Sequence, residues 1–117
     1  MDMRFVREAQ RKPLVFDGLP ERDRISCLHG DSASFDFSPF QNSVDLFFID
    51  GAHHYEYVKN DTIKALECVK SGGIIAWHDY GRCGVNGVSQ WLNEFRAAGN
   101  EVQRIPGGSL AFMVRQR

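Results

Sequence analysis

Two short acidic stretches hold the side chains best suited to chemistry. Asp50-Gly51-Ala52-His53-His54-Tyr55 follows the apolar run Val44–Ile49, and His78-Asp79-Tyr80 follows the apolar run 74–77. A third acid, Asp31, comes just after the run 25–29 and Gly30. In open parallel sheets, ligands bind outside the carboxyl ends of the strands. If the three runs are parallel strands, Asp31, Asp50 and Asp79 share one rim. Asp50 and Asp79 then end consecutive strands, which pair about 4.8 Å apart. Two carboxylates that close repel unless a proton or a cation lies between them. Oxygen ligands with open positions suit Mg²⁺. His53 can reach the same space, and a neutral imidazole near pH 7 is a natural general base.

Each of these residues also has a structural alternative. An Asp after a strand is often a helix N-cap, and Asp50 could cap the helix expected near Tyr55. Asp79 carries the same alternative. His54 reads as structural or solvent-exposed, and Trp77 and Trp91 as core. The chain has neither G-x-G-x-x-G nor G-x-x-x-x-G-K-[ST], so dinucleotide and P-loop readings lack their main motif.

The elements that must position these side chains follow from hydrophobic period. Residues 4–10 read as the tail of a helix that Pro13 interrupts. Residues 25–29 form a short strand. Val44–Ile49 is nearly all apolar without alternation, which predicts a strand buried on both faces. Tyr55, Val58, Thr62, Ala65, Leu66 and Val69 then recur at helical spacing, and Ser71-Gly72-Gly73 is the expected stop. Residues 74–77 form a second buried strand. Val88, Trp91, Leu92 and Phe95 mark a further helix. Residues 101–105 and 110–114 flank Pro106-Gly107-Gly108-Ser109, which predicts an antiparallel hairpin. Buried strands alternating with amphipathic helices indicate an α/β fold with a mainly parallel sheet. No linker divides the 117 residues, so one domain is expected.

Bulk composition narrows the function classes. The formal charge of -1 gives no basic excess for nucleic acid or a membrane surface. Cys27, Cys68 and Cys83 are widely spaced with no C-x-x-C pair, which argues against a zinc knuckle or redox dithiol. A reducing, cytoplasmic compartment fits that usage. No apolar run approaches the roughly 20 residues needed to cross a bilayer, and residues 1–8 carry no secretory signal.

Taken together, residues 44–56 and 71–80 resemble the second half of a class I S-adenosylmethionine-dependent methyltransferase. The subgroup with a D-G-x-H-x-Y segment after the fourth strand and an H-D pair after the fifth is similar, and includes metal-dependent O-methyltransferases acting on small molecules and antibiotic sugars. Residues 24–32 are similar to the family's third strand, and the closing hairpin to its sixth and seventh. The resemblance spans residues 4 to 115. It implies a Rossmann-like methyltransferase sheet with S-adenosylmethionine as cofactor. Asp31 and Ser32 would lie beside the adenine, with Asp50 and Gly51 also on the cofactor side. Asp50 and Asp79 would hold Mg²⁺, and His53 would be the general base toward a small-molecule acceptor. The family's glycine-rich first strand and acid-tipped second strand should precede this sequence. The sheet is therefore expected to be incomplete at the N-terminus, with a second copy or a partner chain completing it. Two other readings stay open: a non-catalytic half-fold serving oligomerisation or binding, and a metal-dependent hydrolase using the same acids with His53 or His78.

Overall fold

The computed structural model describes residues 2–5, 18–84 and 86–116. The chain divides into two compact units, residues 1–36 and 37–117. In the first, strands β1 (Asp2–Phe5) and β2 (Ile25–Leu28) pair in parallel, with Asp2 opposite Ile25 and Phe5 opposite Leu28. A 3₁₀ turn at Pro20–Arg24 leads into β2. The helix expected from Arg4 is therefore corrected at residues 4 and 5. Asp2, Met3, Arg4 and Phe5 alternate polar and apolar, and a few residues of helix cannot form alone, so the ladder wins. The rest of that expected helix, residues 6–10, lies outside the described residues.

The second unit carries the α/β pattern. Its order is β3 (Val44–Ile49), α1 (Tyr55–Cys68), β4 (Val69–Trp77), α2 (Asn86–Ala97), β5 (Gln103–Arg104) and β6 (Ala111–Val114). The sheet runs β3-β4-β6-β5, with β3 parallel to β4 and the other pairs antiparallel. The mainly parallel expectation thus holds for one strand pair of this sheet, and the closing hairpin is antiparallel as expected.

Both helices cover one face of the sheet. Ile49, Ile75, Trp77, Ala111 and Met113 point into that layer and pack with Val58, Ala65, Val88, Leu92 and Phe95. The indole of Trp91 stacks on Phe95 at 5.5 Å, and Phe95 meets Trp77 edge-on at 6.2 Å. One hydroxyl ties these layers together. Thr62 Oγ1 accepts the indole N–H of both Trp77 and Trp91 at 3.0 Å and donates to the Val58 carbonyl at 2.7 Å.

Two expectations about this unit need correction. The strand Val44–Ile49 is not buried on both faces. It is the edge of its sheet, and Leu46 and Phe48 are 57% and 49% exposed. On the same side of the sheet, Ile74 opposite Leu46 and Val114 opposite Ile74 are also open. The first helix also ends earlier than Ser71-Gly72-Gly73 suggested. The Glu67 and Cys68 carbonyls accept the N–H groups of Asn42 and Ser43, so the last turn is satisfied by the incoming chain. Val69 then starts β4 opposite Val44. Gly73 lies where an added Cβ would come within 2.5 Å of a Val69 methyl and 2.9 Å of the Asp45 carbonyl. Its glycine serves close backbone approach inside an irregular strand, not a helix cap.

Candidate active site

The carboxyl ends of β3 and β4 lie side by side, because the strands are parallel neighbours with Ile49 opposite Trp77. The ladder continues one step further, with the His78 N–H donating to the Ile49 carbonyl at 3.1 Å. This register brings Asp50, His78 and Asp79 to one place. The turn after β3 adds His53. Its Nε2 lies 2.6 Å from Asp79 Oδ2.

Asp79 is the hub. It is 2% exposed and adopts a left-handed backbone with φ of 67°. Aspartate tolerates that conformation better than most residues, and non-glycine residues held there cluster at functional sites. Arg82 Nη1 donates to its Oδ1 at 2.9 Å, and His78 Nδ1 lies 3.1 Å from the same oxygen. Burial alone would raise its carboxyl, but the Arg82, His78 and His53 donors outweigh that and hold it below the ordinary carboxylate range. With Asp79 ionised, the short bond runs from the His53 Nε2–H to the carboxylate. That leaves His53 Nδ1 as the nitrogen able to take a proton.

A testable pH dependence follows. A folded-state carboxyl depressed below its unfolded value, about 3.9, adds stability that is present above that value. The stability is lost as pH falls through the lower folded value. Asp79→Asn, which keeps a left-handed-tolerant residue, should therefore lower the urea midpoint at pH 7. The gap to the parent should close as pH drops below about 4. A gap unchanged down to pH 2.5 or so would contradict the ionised, donor-held carboxylate.

Neither acid is a helix cap. The N-cap of α1 is His54, with no side-chain cap bond, and Asp50 lies upstream with its side chain 50% exposed. Asp79 lies well before α2 and spends its oxygens on His53, His78 and Arg82. Asp50, His53 and Asp79 can each present a ligand atom within 4.8 Å of the others. Two carboxylates at that spacing fit a divalent cation. Ile49, Gly51, His53, Trp77, Asp79 and Val88 line a shallow concavity beside these groups. His54 is exposed, and Trp77 is core, as expected.

Asp31 and Ser32 belong to the other unit. Asp31 closes a tight turn after β2: its Oδ1 accepts the Ala33 N–H at 2.9 Å and its carbonyl accepts the N–H groups of Ser34 and Phe35. The structure thus joins two of the three expected rim acids in one hydrogen-bonded sheet, and Asp31 ends a strand of a separate two-stranded one. Sequence reasoning gave no role to Arg82, the cation just beyond His78-Asp79. It also passed over Asp61, a buried acid on the packed face of α1 whose Oδ2 would lie 3.5 Å from a Cβ on Gly51. An acid inside the stripe of Val58, Thr62 and Ala65 was the signal available for it.

A family described as a methyltransferase domain matches residues 3–80, two-thirds of the chain. The chain belongs to that family. Its fold is an incomplete Rossmann-like α/β fold of the class I S-adenosylmethionine-dependent O-methyltransferases. The O-methyltransferase NovP superposes on this methyltransferase domain with a TM-score of 0.66 at 21% identity, covering 87% of this chain and 41% of NovP. A TDP-rhamnose 3'-O-methyltransferase of calicheamicin biosynthesis gives 0.62 at 15%, over 78% of this chain and 42% of that one. The mycinamycin-pathway methyltransferase MycE, solved with Mg and S-adenosylhomocysteine, gives 0.59 at 18%, over 80% and 32%. The domain therefore spans less than half the length of each of these three. No curated protein matches it. Among the described residues, no helix is long and apolar enough to cross a membrane.

Proposed function

We propose that this chain takes part in S-adenosylmethionine-dependent O-methylation of a small molecule or sugar, with a divalent cation assisting. The observation that carries the reading is the convergence of Asp50, Asp79 and His53 at neighbouring strand ends of a methyltransferase-family chain. Bound S-adenosylmethionine would supply a sulfonium methyl group to the acceptor hydroxyl oxygen, with S-adenosylhomocysteine as the leaving group that keeps the C–S electron pair. His53 Nδ1 takes the hydroxyl proton. Asp79 fixes the ring through Nε2–H and stabilises the imidazolium that forms, while Arg82 steadies Asp79. Asp50 and Asp79 would hold the cation, Mg²⁺ by family resemblance, and it would lower the hydroxyl's pKa and orient the acceptor. Asp31 and Ser32, with Asp50 and Gly51, are the proposed cofactor contacts. The sugar substrate of one relative and the bound Mg of another support these assignments by kinship. A cytoplasmic site of action goes with the same reading.

The test is turnover with labelled S-adenosylmethionine against a panel of hydroxylated acceptors. His53→Asn should lower kcat by about 10²- to 10⁴-fold, the usual share of a general base, with S-adenosylhomocysteine affinity unchanged. Equal turnover in that variant would remove His53 from the mechanism.

The open sheet face favours a second reading, a half-fold that works through association. Leu46, Phe48, Ile74 and Val114 form an apolar surface on the side the helices leave bare, and such surfaces mark interaction sites. A second copy or partner chain covering it predicts a dimer or larger by light scattering. A monomer at high concentration, with no partner recovered, would count against it.

A further inference from the structure

We propose that His78, through Nδ1, completes a cation site with Asp50 and Asp79, and that this nitrogen makes the site prefer a first-row transition ion to Mg²⁺. The proposal rests on the reading of the two acids as cation ligands. Its geometry stands on His78 itself. Nδ1 lies 3.3 Å from Asp50 Oδ1 and 3.1 Å from Asp79 Oδ1. Charge-assisted N–H···O bonds run about 2.7–2.9 Å, and a single N–H cannot serve two carboxylates equally. Two ligands bound at about 2.1 Å lie about 3.0 Å apart at right angles and about 3.4 Å apart in a tetrahedron. Both separations fall in that range, so Nδ1 stands at the spacing of a coordination-shell neighbour from each of the two carboxylates.

The ring is also held in place. The His78 N–H is fixed to Ile49, the residue before Asp50, and the ring leans against Phe48 with centroids 6.4 Å apart. His53 is differently engaged, since its Nε2 lies on the other Asp79 oxygen. The two imidazoles thus divide the work: one ligates, the other takes the proton. Mg²⁺ favours oxygen ligands and keeps its waters, whereas imidazole suits Fe²⁺, Ni²⁺, Cu²⁺ and Zn²⁺. A shell of two carboxylates and one imidazole nitrogen fits the second group.

Mn²⁺ is the probe, because pulsed EPR detects a bound nitrogen directly. The protein should bind Mn²⁺ at least about 10-fold more tightly than Mg²⁺ in competition and show ¹⁴N couplings. His78→Asp should abolish the couplings and narrow the Mn²⁺ preference, and His78→Gln should also abolish them, which guards against a fold lost to the extra charge. His53→Asn should retain them. Equal affinity for the two ions overturns the proposal, as does absence of ¹⁴N coupling or coupling that survives His78→Asp. S-adenosylhomocysteine titration of the same samples separates the two readings. Mn²⁺ held through His78 with no S-adenosylhomocysteine binding upholds this proposal and defeats methyl transfer. S-adenosylhomocysteine binding beside an ion with only oxygen ligands does the reverse.

Discussion

Gly87→Ala is expected to destabilise the protein by about 1–3 kcal/mol, the usual cost of overpacking, and to displace His53. Gly87 lies in the first turn of α2, where a Cβ would come within 2.4 Å of the His53 carbonyl and 2.6 Å of the Tyr55 nitrogen. Those neighbours are backbone atoms at the start of α1, so no flexible side chain can give way. Helix α2 must retreat, or the segment carrying His53 must move. A lower urea midpoint together with a shifted His53 imidazole resonance is the predicted result. An unchanged midpoint would mean that α2 does not pack against this segment as described.

Thr62→Val should cost about 2–4 kcal/mol, although it conserves volume. The substitution leaves the indole N–H groups of Trp77 and Trp91 without their shared acceptor. Each buried unsatisfied donor costs about 1–3 kcal/mol, and Trp77 is fully buried while Trp91 is partly buried. Thr62→Ser keeps the hydroxyl and removes one methyl, worth about 0.8 kcal/mol, so it should be the milder change. Equal losses for Val and Ser in chemical denaturation would show that the hydroxyl is not the link between the helices and the sheet.

The strand ends were legible because Val44–Ile49 and 74–77 are apolar runs that stop at acids. The closing hairpin was legible from its Pro-Gly-Gly-Ser turn. What could not be read depends on partners distant in sequence. The end of α1 is fixed by Asn42 and Ser43 donating to its last carbonyls, so a local Ser-Gly-Gly signal misplaced it. The exposed side of β3 was hidden because an apolar run looks the same whether one face or both are covered. At the site, Asp50, His53 and Asp79 were readable by type and place. The left-handed turn at Asp79, the Arg82 bond and the ligand-like spacing of His78 arise only once the chain has folded.

The central claim is that this chain binds the methyl-transfer cofactor's product, and calorimetric titration with S-adenosylhomocysteine in the presence of a divalent cation tests it most directly. Saturable binding of one ligand per chain, with a matching rise in melting temperature by mass action, is the predicted result. No heat and no thermal shift at millimolar ligand would contradict the account.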